Sequence, residues 1–284
     1  MGLSVRNIVT IRLHAPRELV ESSAAAMSRR HPGTFFTIND SGNEPLLFAF
    51  DTTGVDRGAW RIGNATNVDW ESAAIGPCGR QPDADGDCVY VGDTGDNDAT
   101  YPSRVIYRLR EPDASTGRAS LSARALRYAY ADGPHDVEAM YVAPSGDIVL
   151  VTKRPLAGPS GVLRPALVFV LPESLWAASG RAVASLIDSL PIVPGSAPLR
   201  YIGDASLSAD ARHLAVRTYA QVYVFATDPV TGRVDHSVRP TVCNIVPLDE
   251  MQGEGVTWVD DAGRLAFTSE GREAPLHLAS CPLP

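Results

Sequence analysis

The sequence predicts an all-β chain folded as a five-bladed β-propeller with four strands per blade. The first observation is a repeat, because an acidic residue followed by small or apolar residues recurs five times. The spacing of about 50 to 67 residues is the size of a propeller blade. The second observation is that two strand-like runs follow every acid, and the third is that the two chain ends complete one blade. The repeated acids are Glu21, Glu71, Glu138, Asp204 and Glu254.

Each repeat has the pattern of a β-hairpin followed by a further strand. After the acid come an apolar stretch, a turn containing Gly, Asp or Pro, and a second apolar run. The second runs are TFFTI, CVYVG, DIVLVT, HLAVRT and RLAFTS, and the third runs are LLFAF, RVIYRL, ALVFVL, QVYVFA and PLHLAS. They are rich in β-branched and aromatic residues, as strands are. Only residues 174–189 have some helical periodicity, so we expect one short helix at most.

The chain ends predict how the ring closes. The last repeat stops after its third strand, whereas the chain begins with an isolated strand-like run at residues 7–13. If this N-terminal strand joins the last blade, the ring closes without an exposed sheet edge. The alternative is a six-bladed ring, whose additional blade would lie in the long, Pro-rich region 156–200.

Composition limits the partners of this chain. With 284 residues, 44% of them hydrophobic, the sequence fits a single propeller domain spanning residues 1–284. A formal charge of -8 argues against a nucleic-acid partner, which requires a concentrated positive surface. No run reaches the roughly 18 apolar residues needed to span a bilayer. We therefore expect a monomer without a membrane span, whose partner is a small anionic molecule or a glycan.

The four cysteines indicate the compartment. They form a close pair, Cys78 and Cys88, and a distant pair, Cys243 and Cys281, as two disulfides would. Disulfides predict a secreted or periplasmic protein. The first ten residues lack the apolar core of a signal peptide, so we expect that segment to be missing from this sequence. Four free cysteines in a cytosolic protein are the alternative.

The repeated acids predict a metal site. The first strand of each blade lines the central channel of a propeller, so all five acids are expected at one channel mouth. Carboxylates in so small a volume repel one another unless a cation neutralises them. Oxygen ligands in a flexible number favour calcium over zinc. Asp69 and Asp136 are additional candidate ligands. The alternative is that each acid caps its blade by accepting backbone hydrogen bonds.

The loops after the second strands open on the same face and carry several bases. Lys153, Arg154, Arg217 and Arg272 lie in or beside these loops. Cationic side chains around a metallated centre would bind an anion. The alternative for each base is an ion pair with an acid of a neighbouring blade.

Several stretches resemble a group of secreted bacterial propellers of uncharacterised function. These are INDSGNEPLLFAFDTTG, NATNVDWESAAIGP, VGDTGDN, AVRTY, and QGEGVTW with TSEG. The group is similar in layout to calcium-dependent propeller hydrolases, namely phytase-like esterases and the gluconolactonase and paraoxonase group. That resemblance implies a calcium-binding role for Glu71, Glu138, Asp204 and Glu254. The chain departs from these enzymes in having five repeats where they have six blades.

We expect a calcium-dependent hydrolase of a small anionic ester, phosphate or lactone. The catalytic candidates are Glu138 and Glu71 as general base, with Arg217 and Lys153 stabilising developing negative charge. Calcium is the expected cofactor, with Glu21, Glu71, Glu138, Asp204 and Glu254 as its candidate ligands. One alternative is a non-catalytic propeller that binds a glycan, peptide or protein, and another is a purely structural disc.

Overall fold

The chain folds into five antiparallel sheets arranged as the blades of a propeller. The computed structural model describes residues 3–79, 86–113, 119–153, 165–192 and 200–284. In chain order the strands are β1 (Leu3–Ser4), β2 (Arg6–Ile11), β3 (Ala26–Met27), β4 (Thr34–Ile38), β5 (Leu46–Asp51), β6 (Asp56–Ile62), β7 (Trp70–Pro77), β8 (Asp87–Asp93), β9 (Arg104–Arg110), β10 (Ser120–Leu121), β11 (Arg124–Tyr130), β12 (Val137–Val142), β13 (Ile148–Thr152), β14 (Ala166–Leu171), β15 (Ala182–Leu190), β16 (Ile202–Leu207), β17 (His213–Thr218), β18 (Gln221–Ala226), β19 (Thr241–Asn244), β20 (Gly253–Trp258), β21 (Arg264–Ser269) and β22 (Leu276–Ser280).

Each blade has four main strands, whose hydrogen-bonded order follows the chain, and the two-residue strands β10 and β1 add in parallel to the outer strands of blades 1 and 4. Blade 1 is β3 to β6, blade 2 is β7, β8, β9 and β11, blade 3 is β12 to β15, and blade 4 is β16 to β19. Blade 5 combines β20, β21 and β22 with the N-terminal strand β2, which pairs antiparallel with β22. The predicted five blades and the predicted closure by the N-terminal strand are confirmed. Blades 2 and 3 also pair through their outer strands, β11 and β15, which run parallel.

Burial explains the sequence pattern of inner and outer strands. The first strands β7, β12 and β20 are buried along almost their whole length, and apart from the repeated Glu they consist mainly of small and apolar residues. The outer strands β6 and β11 mix buried and exposed positions because only one of their faces packs on a neighbour. This difference places four of the repeated acids, Glu71, Glu138, Asp204 and Glu254, which stand near the start of their first strands, in the protein interior.

Apolar side chains fill the interfaces between adjacent blades. Five core clusters occur among the described residues, each formed by strands of two neighbouring blades. In the interface of blades 1 and 2, Trp60 and Trp70 are almost fully buried. Gly76 of blade 2 permits close approach to blade 3, since a Cβ atom there would lie 2.5 Å from the Val142 side chain.

One disulfide lies within a blade, and the other joins two parts of the chain that are distant in sequence. Cys78 and Cys88 are bonded and close the first hairpin of blade 2. Cys243 and Cys281 are bonded, so blade 4 is linked to the chain that leaves blade 5. The predicted cysteine pairing is therefore confirmed. No helix in the described ranges is long and apolar enough to cross a membrane.

Residues 174–189, which have some helical periodicity in the sequence, do not form a helix of that length. A single 3-10 turn covers Glu173–Trp176, and β15 follows it as the outer strand of blade 3. The outer position of β15 explains why the sequence suggested a helix here, because β15 is half-exposed and lacks a regular alternation of apolar and polar residues. The region 156–200, proposed as a sixth blade in the alternative, contributes β14 and β15 to blade 3, and the rest of it includes residues outside the described ranges.

Candidate metal centre at the channel mouth

Three repeated acids share one structural position, a β-bulge at the start of a first strand. The strand register shifts at Glu71 in blade 2, at Glu138 in blade 3 and at Glu254 in blade 5. A bulge redirects the side chain of its extra residue, and bulges are common next to functional sites. Glu71, Glu138 and Glu254 are only 6%, 1% and 3% exposed. The structure therefore buries three carboxylates at the entrance to the channel.

Glu71 forms a candidate metal centre with two aspartates. One oxygen from each of Asp40, Asp69 and Glu71 lies within 4.8 Å of the other two. Asp40 comes from the loop between β4 and β5, and Asp69 directly precedes β7. Carboxylate oxygens from different segments are the donors that Ca²⁺ binds in proteins.

Backbone and amide hydrogen bonds hold the two loops that supply these aspartates. The side-chain amide of Asn67 donates to the carbonyl of Asp40 at 2.7 Å and to that of Asn39 at 3.1 Å. The backbone N–H groups of Thr94 and Gly95 both donate to the carbonyl of Asp69 at 3.1 Å. The carbonyl groups are thus satisfied within the protein, which leaves the carboxylates as the groups available to a cation.

Gly95 allows the centre to be compact. A Cβ atom at this position would lie 2.6 Å from Oδ2 of Asp69 and 2.7 Å from Cγ of Glu71. These distances are shorter than ordinary van der Waals contacts, so any larger residue would displace the carboxylates.

Lys153 pairs directly with one of the three buried carboxylates. Its Nζ atom forms an ion pair with Oε1 of Glu138, and the two side chains are 10% and 1% exposed. Burial lowers the pKa of Lys153, but the Glu138 carboxylate outweighs burial and holds the pKa above its ordinary value. The positive charge of Lys153 also partly offsets the rise in the pKa values of Glu71 and Glu254.

Glu254 lies next to a tyrosine from blade 4. Its Oε1 atom accepts hydrogen bonds of 3.0 Å from the hydroxyl of Tyr219 and from the side-chain amide of Gln252. Its Oε2 atom is buried and has no hydrogen-bond partner in the described part of the chain. A buried carboxylate oxygen without a partner is unfavourable, so this atom indicates a place for a proton, a water molecule or a cation.

The carboxylates raise one another's pKa values. Burial and the nearby Glu138 raise the pKa of Glu71, and burial raises the pKa values of Glu138 and Glu254. Burial and the neighbouring Asp40 raise the pKa of Asp69 to about 6. The pKa of the less buried Glu270 is raised as well, to about 7, by burial and by the nearby Glu254. We call this cluster, with Lys153, the acidic mouth; its carboxylates are Asp40, Asp69, Glu71, Glu138, Glu254 and Glu270.

Asp204 occupies a deeper level than the other repeated acids. The bulged position of blade 4 is Gly203, so Asp204 stands one residue further along its strand. Its carboxylate accepts backbone hydrogen bonds from Ala25 at 3.1 Å and Val256 at 2.8 Å. It thereby links blades 1, 4 and 5 inside the channel, as the blade-capping alternative describes.

Glu21 of blade 1 lies at the outer edge of the acidic mouth. It is partly exposed, and its Oε2 atom accepts a hydrogen bond of 2.9 Å from the side chain of Asn43. Its backbone forms a bridge with Glu270 of blade 5. Asp136, an additional candidate from the sequence, accepts a 2.9 Å hydrogen bond from the backbone N–H of Asp96.

The predicted anion-binding bases are placed differently from one another. Arg217 is fully buried and its Nη2 atom donates to Oε2 of Glu250 at 2.7 Å. Its Nη1 atom donates to the backbone carbonyls of Gly255 and Thr268. Arg272 is exposed and makes no ion pair with any described residue. Arg154 lies outside the described residues.

Sequence reasoning missed Asp40, Tyr219 as a partner of Glu254, and Glu250 as the partner of Arg217. Asp40 lies in the polar loop INDSGNEP, which the sequence places on the acidic face, but its position beside Glu71 depends on contacts between blades 1 and 2. The available signal was the Asn-Asp pair immediately after a buried strand.

The fold and the site together define a five-bladed propeller with an acidic, partly buried channel mouth. Three solved structures with propeller-like folds are similar to the chain along nearly its whole length. The glutaminyl cyclase of Myxococcus xanthus matches with a TM-score of 0.55 and 13% identity, covering 99% of both chains. A luciferin-regenerating enzyme matches with a TM-score of 0.51 and 10% identity, covering 98% of both chains.

The PQQ-bound aldose sugar dehydrogenase of Streptomyces coelicolor matches with a TM-score of 0.52 and 10% identity, covering 96% of this chain and 98% of that one. No protein-family model and no curated protein sequence matches this chain. The likeness to these enzymes, at such low identity, is a likeness of fold.

Proposed function

We propose that this protein is a propeller enzyme that binds one calcium ion at Asp40, Asp69 and Glu71. The observation that carries this proposal is the convergence of three carboxylate oxygens within 4.8 Å. The donor set fits, because it consists of oxygen atoms alone and comes from three separate segments. The buried Oε2 atom of Glu254, which has no partner among the described residues, is a second sign that the acidic mouth accommodates a further group.

The proposed reaction is hydrolysis of a small anionic ester, phosphate or lactone. Calcium, when bound, supplies positive charge that polarises a carbonyl or phosphoryl oxygen or lowers the pKa of a bound water. The propeller fold supports an enzyme only in the general sense that the three similar structures are those of enzymes. The substrate class rests on the chemistry of the acidic mouth.

Glu254 is the residue best placed to accept a proton from an attacking water. One of its oxygens is held by Tyr219 and Gln252, which orients the carboxylate, and the other is available. Burial raises its pKa towards the range of an effective general base. Glu138 and Glu71, the general bases expected from the sequence, already have other partners. Glu138 pairs with Lys153, and Glu71 belongs to the proposed metal set.

The charge of Lys153 stabilises negative charge that develops on the substrate, as the sequence predicts. Arg217 is proposed to act on stability instead, because its guanidinium is buried against Glu250 and two backbone carbonyls. The exposed Arg272, in the loop after β21, is a candidate to attract the anionic group of the substrate from solution.

The second candidate is a non-catalytic propeller in which calcium is structural and the loops bind a glycan, peptide or protein. It is favoured by the ion pairs of Lys153 and Arg217, because each of these cations already has a carboxylate partner in the protein. Under either candidate function we propose a secreted or periplasmic location, which the two disulfides support.

The test compares wild type, Glu254→Gln and Asp69→Asn for hydrolysis of p-nitrophenyl phosphate, p-nitrophenyl acetate and a lactone panel, with calcium and with EDTA. We expect wild-type turnover that EDTA abolishes. Glu254→Gln should lower kcat by about 10²-fold or more with calcium affinity retained, whereas Asp69→Asn should lose both. Calcium binding without turnover of any substrate would favour the second candidate.

A further inference from the structure

A second cavity opens at the opposite end of the central channel. It has a volume of about 310 Å³ and is lined where the first strands end and the turns to the second strands begin. The strand segments that line it carry small side chains, including Ala26, Ala74 and Ala205. The volume lies at the lower end of the range for small-molecule sites, roughly 300–1,000 Å³. We call this space the far cavity.

The far cavity is separate from the acidic mouth. Glu71 belongs to the acidic mouth, and the lining of the far cavity begins at Ala73 of the same strand, so the two sites are about 7 Å apart there at the usual rise per strand residue. Hydrogen-bonded side chains lie between them. Asp204 bonds to the backbones of Ala25 and Val256, and the Ser23 hydroxyl donates to the carbonyl of Trp70 at 2.9 Å.

The lining of the far cavity is mostly apolar, and its charged groups favour a cation. Arg29, the basic residue of the lining, already forms an ion pair of 3.5 Å with Asp87. Asp260 accepts backbone hydrogen bonds from Ala262 and Arg264, which fix its position in the turn after β20. Asp261 is exposed and has no hydrogen bond or ion pair with any described residue. The uncompensated charge at the rim is therefore negative.

An aromatic ring completes this environment. Trp258 lines the far cavity, and its indole N–H donates to the carbonyl of Ser206 at 2.8 Å, which fixes the ring. Indole rings attract organic cations through the negative charge of their faces, and aromatic sites with a nearby carboxylate are typical of ammonium recognition.

We propose that the far cavity binds a small organic cation with an apolar body, such as an aryl or alkyl ammonium compound. The apolar body occupies the space between the alanines of the first strands, and Trp258 with Asp261 receives the charged group. This site is independent of the acidic mouth and of calcium.

The test measures the binding of benzyltrimethylammonium by titration calorimetry, with phenylacetate and benzyl alcohol as the anionic and neutral comparisons. We expect benzyltrimethylammonium to bind most tightly. Ala209, an exposed turn residue that lines the far cavity, can be enlarged without disturbing the core, so Ala209→Trp should abolish binding. Asp261→Asn should weaken benzyltrimethylammonium binding about threefold, as expected for the loss of an exposed charge. The difference between this variant and wild type should be smaller at high salt.

Asp98→Asn, which changes an exposed acid in a loop on the opposite face, serves as the control and should bind like wild type. EDTA and Asp69→Asn should likewise leave the affinity unchanged, which separates this proposal from the calcium site. Circular dichroism and melting temperature establish that Ala209→Trp is folded. Absence of benzyltrimethylammonium binding, equal binding of phenylacetate, or full binding by folded Ala209→Trp would overturn the proposal.

Discussion

Lys153 of blade 3 forms its ion pair with Glu138 of the same blade below the surface of the acidic mouth, where the two side chains are 10% and 1% exposed. The pair brings one positive charge into a group of buried carboxylates. The Lys153 charge compensates part of the negative charge of this cluster, and either partner alone would be an uncompensated buried charge.

Removal of Lys153 should therefore be costly. Lys153→Met is expected to lower the free energy of unfolding by roughly 3–5 kcal/mol, because Glu138 loses its partner and the nearby carboxylates lose a compensating charge. The double variant Lys153→Met/Glu138→Gln should recover part of this loss. Urea unfolding measures both, and Arg12→Met, which breaks an exposed ion pair with Glu273, is the control expected to change little. A double variant no more stable than Lys153→Met would contradict the prediction.

Stability should depend on pH and calcium together. The pKa values of Asp69, about 6, and Glu270, about 7, lie above the ordinary carboxylate range near 4. Protonation therefore favours the folded state, and this contribution is lost as the pH rises through about 6 to 7. Without metal, we expect a melting temperature that is higher at pH 5.5 than at pH 8.

Calcium should reverse that trend, because a bound cation stabilises the ionised carboxylates. The increase in melting temperature on adding calcium should be larger at pH 8 than at pH 5.5. Asp69→Asn should reduce both effects. Equal calcium shifts at the two pH values would show that these carboxylates do not titrate in competition with the metal.

Arg217 should behave as a structural residue. Its guanidinium is fully buried, with Glu250 at 2.7 Å, so Arg217→Met should destabilise the protein by roughly 3–5 kcal/mol. Arg217→Lys should also destabilise, because an ammonium group cannot replace a planar guanidinium that bonds to several acceptors. Arg212→Met on the same hairpin is the matched control, since Arg212 is 65% exposed and should change stability by less than about 0.5 kcal/mol. Wild-type stability of Arg217→Met in chemical unfolding would refute this assignment.

The two disulfides should contribute unequally. Cys243 and Cys281 are 38 residues apart and Cys78 and Cys88 are 10 apart. The loop-entropy relation gives about 4 kcal/mol for the longer loop and about 3 kcal/mol for the shorter one. Paired serine substitutions of each bridge, compared by urea unfolding, should rank in that order. The reverse order would show that local packing outweighs chain entropy.

The blade count could be predicted because each blade repeats an acid, a hairpin and a third strand. The position of Asp204 could not. The sequence repeat aligns Asp204 with Glu71 and Glu138, but in blade 4 the bulged residue is Gly203. A shift of one residue along a strand turns a side chain to the other face of the sheet.

The proposed metal set could be predicted from the sequence only in part. Glu71 was found because it belongs to the repeat, and Asp69 because it stands two residues before it. Asp40 lies in a loop of another blade, and its distance from Glu71 follows from how blades 1 and 2 pack. Ion-pair partners such as Glu250 are outside the repeat for the same reason, since long-range packing has no periodic signal in one sequence.

Calcium titration of metal-free protein, followed by calorimetry for wild type, Asp69→Asn and Asp98→Asn, tests the central claim most directly. The proposal predicts one calcium per chain in wild type and in Asp98→Asn, whose acid lies outside the proposed metal set. Asp69→Asn should bind at least about tenfold more weakly, since it loses a charged ligand oxygen. No calcium binding by wild type, or equal affinity in Asp69→Asn, would contradict the assignment of the acidic mouth as a metal centre.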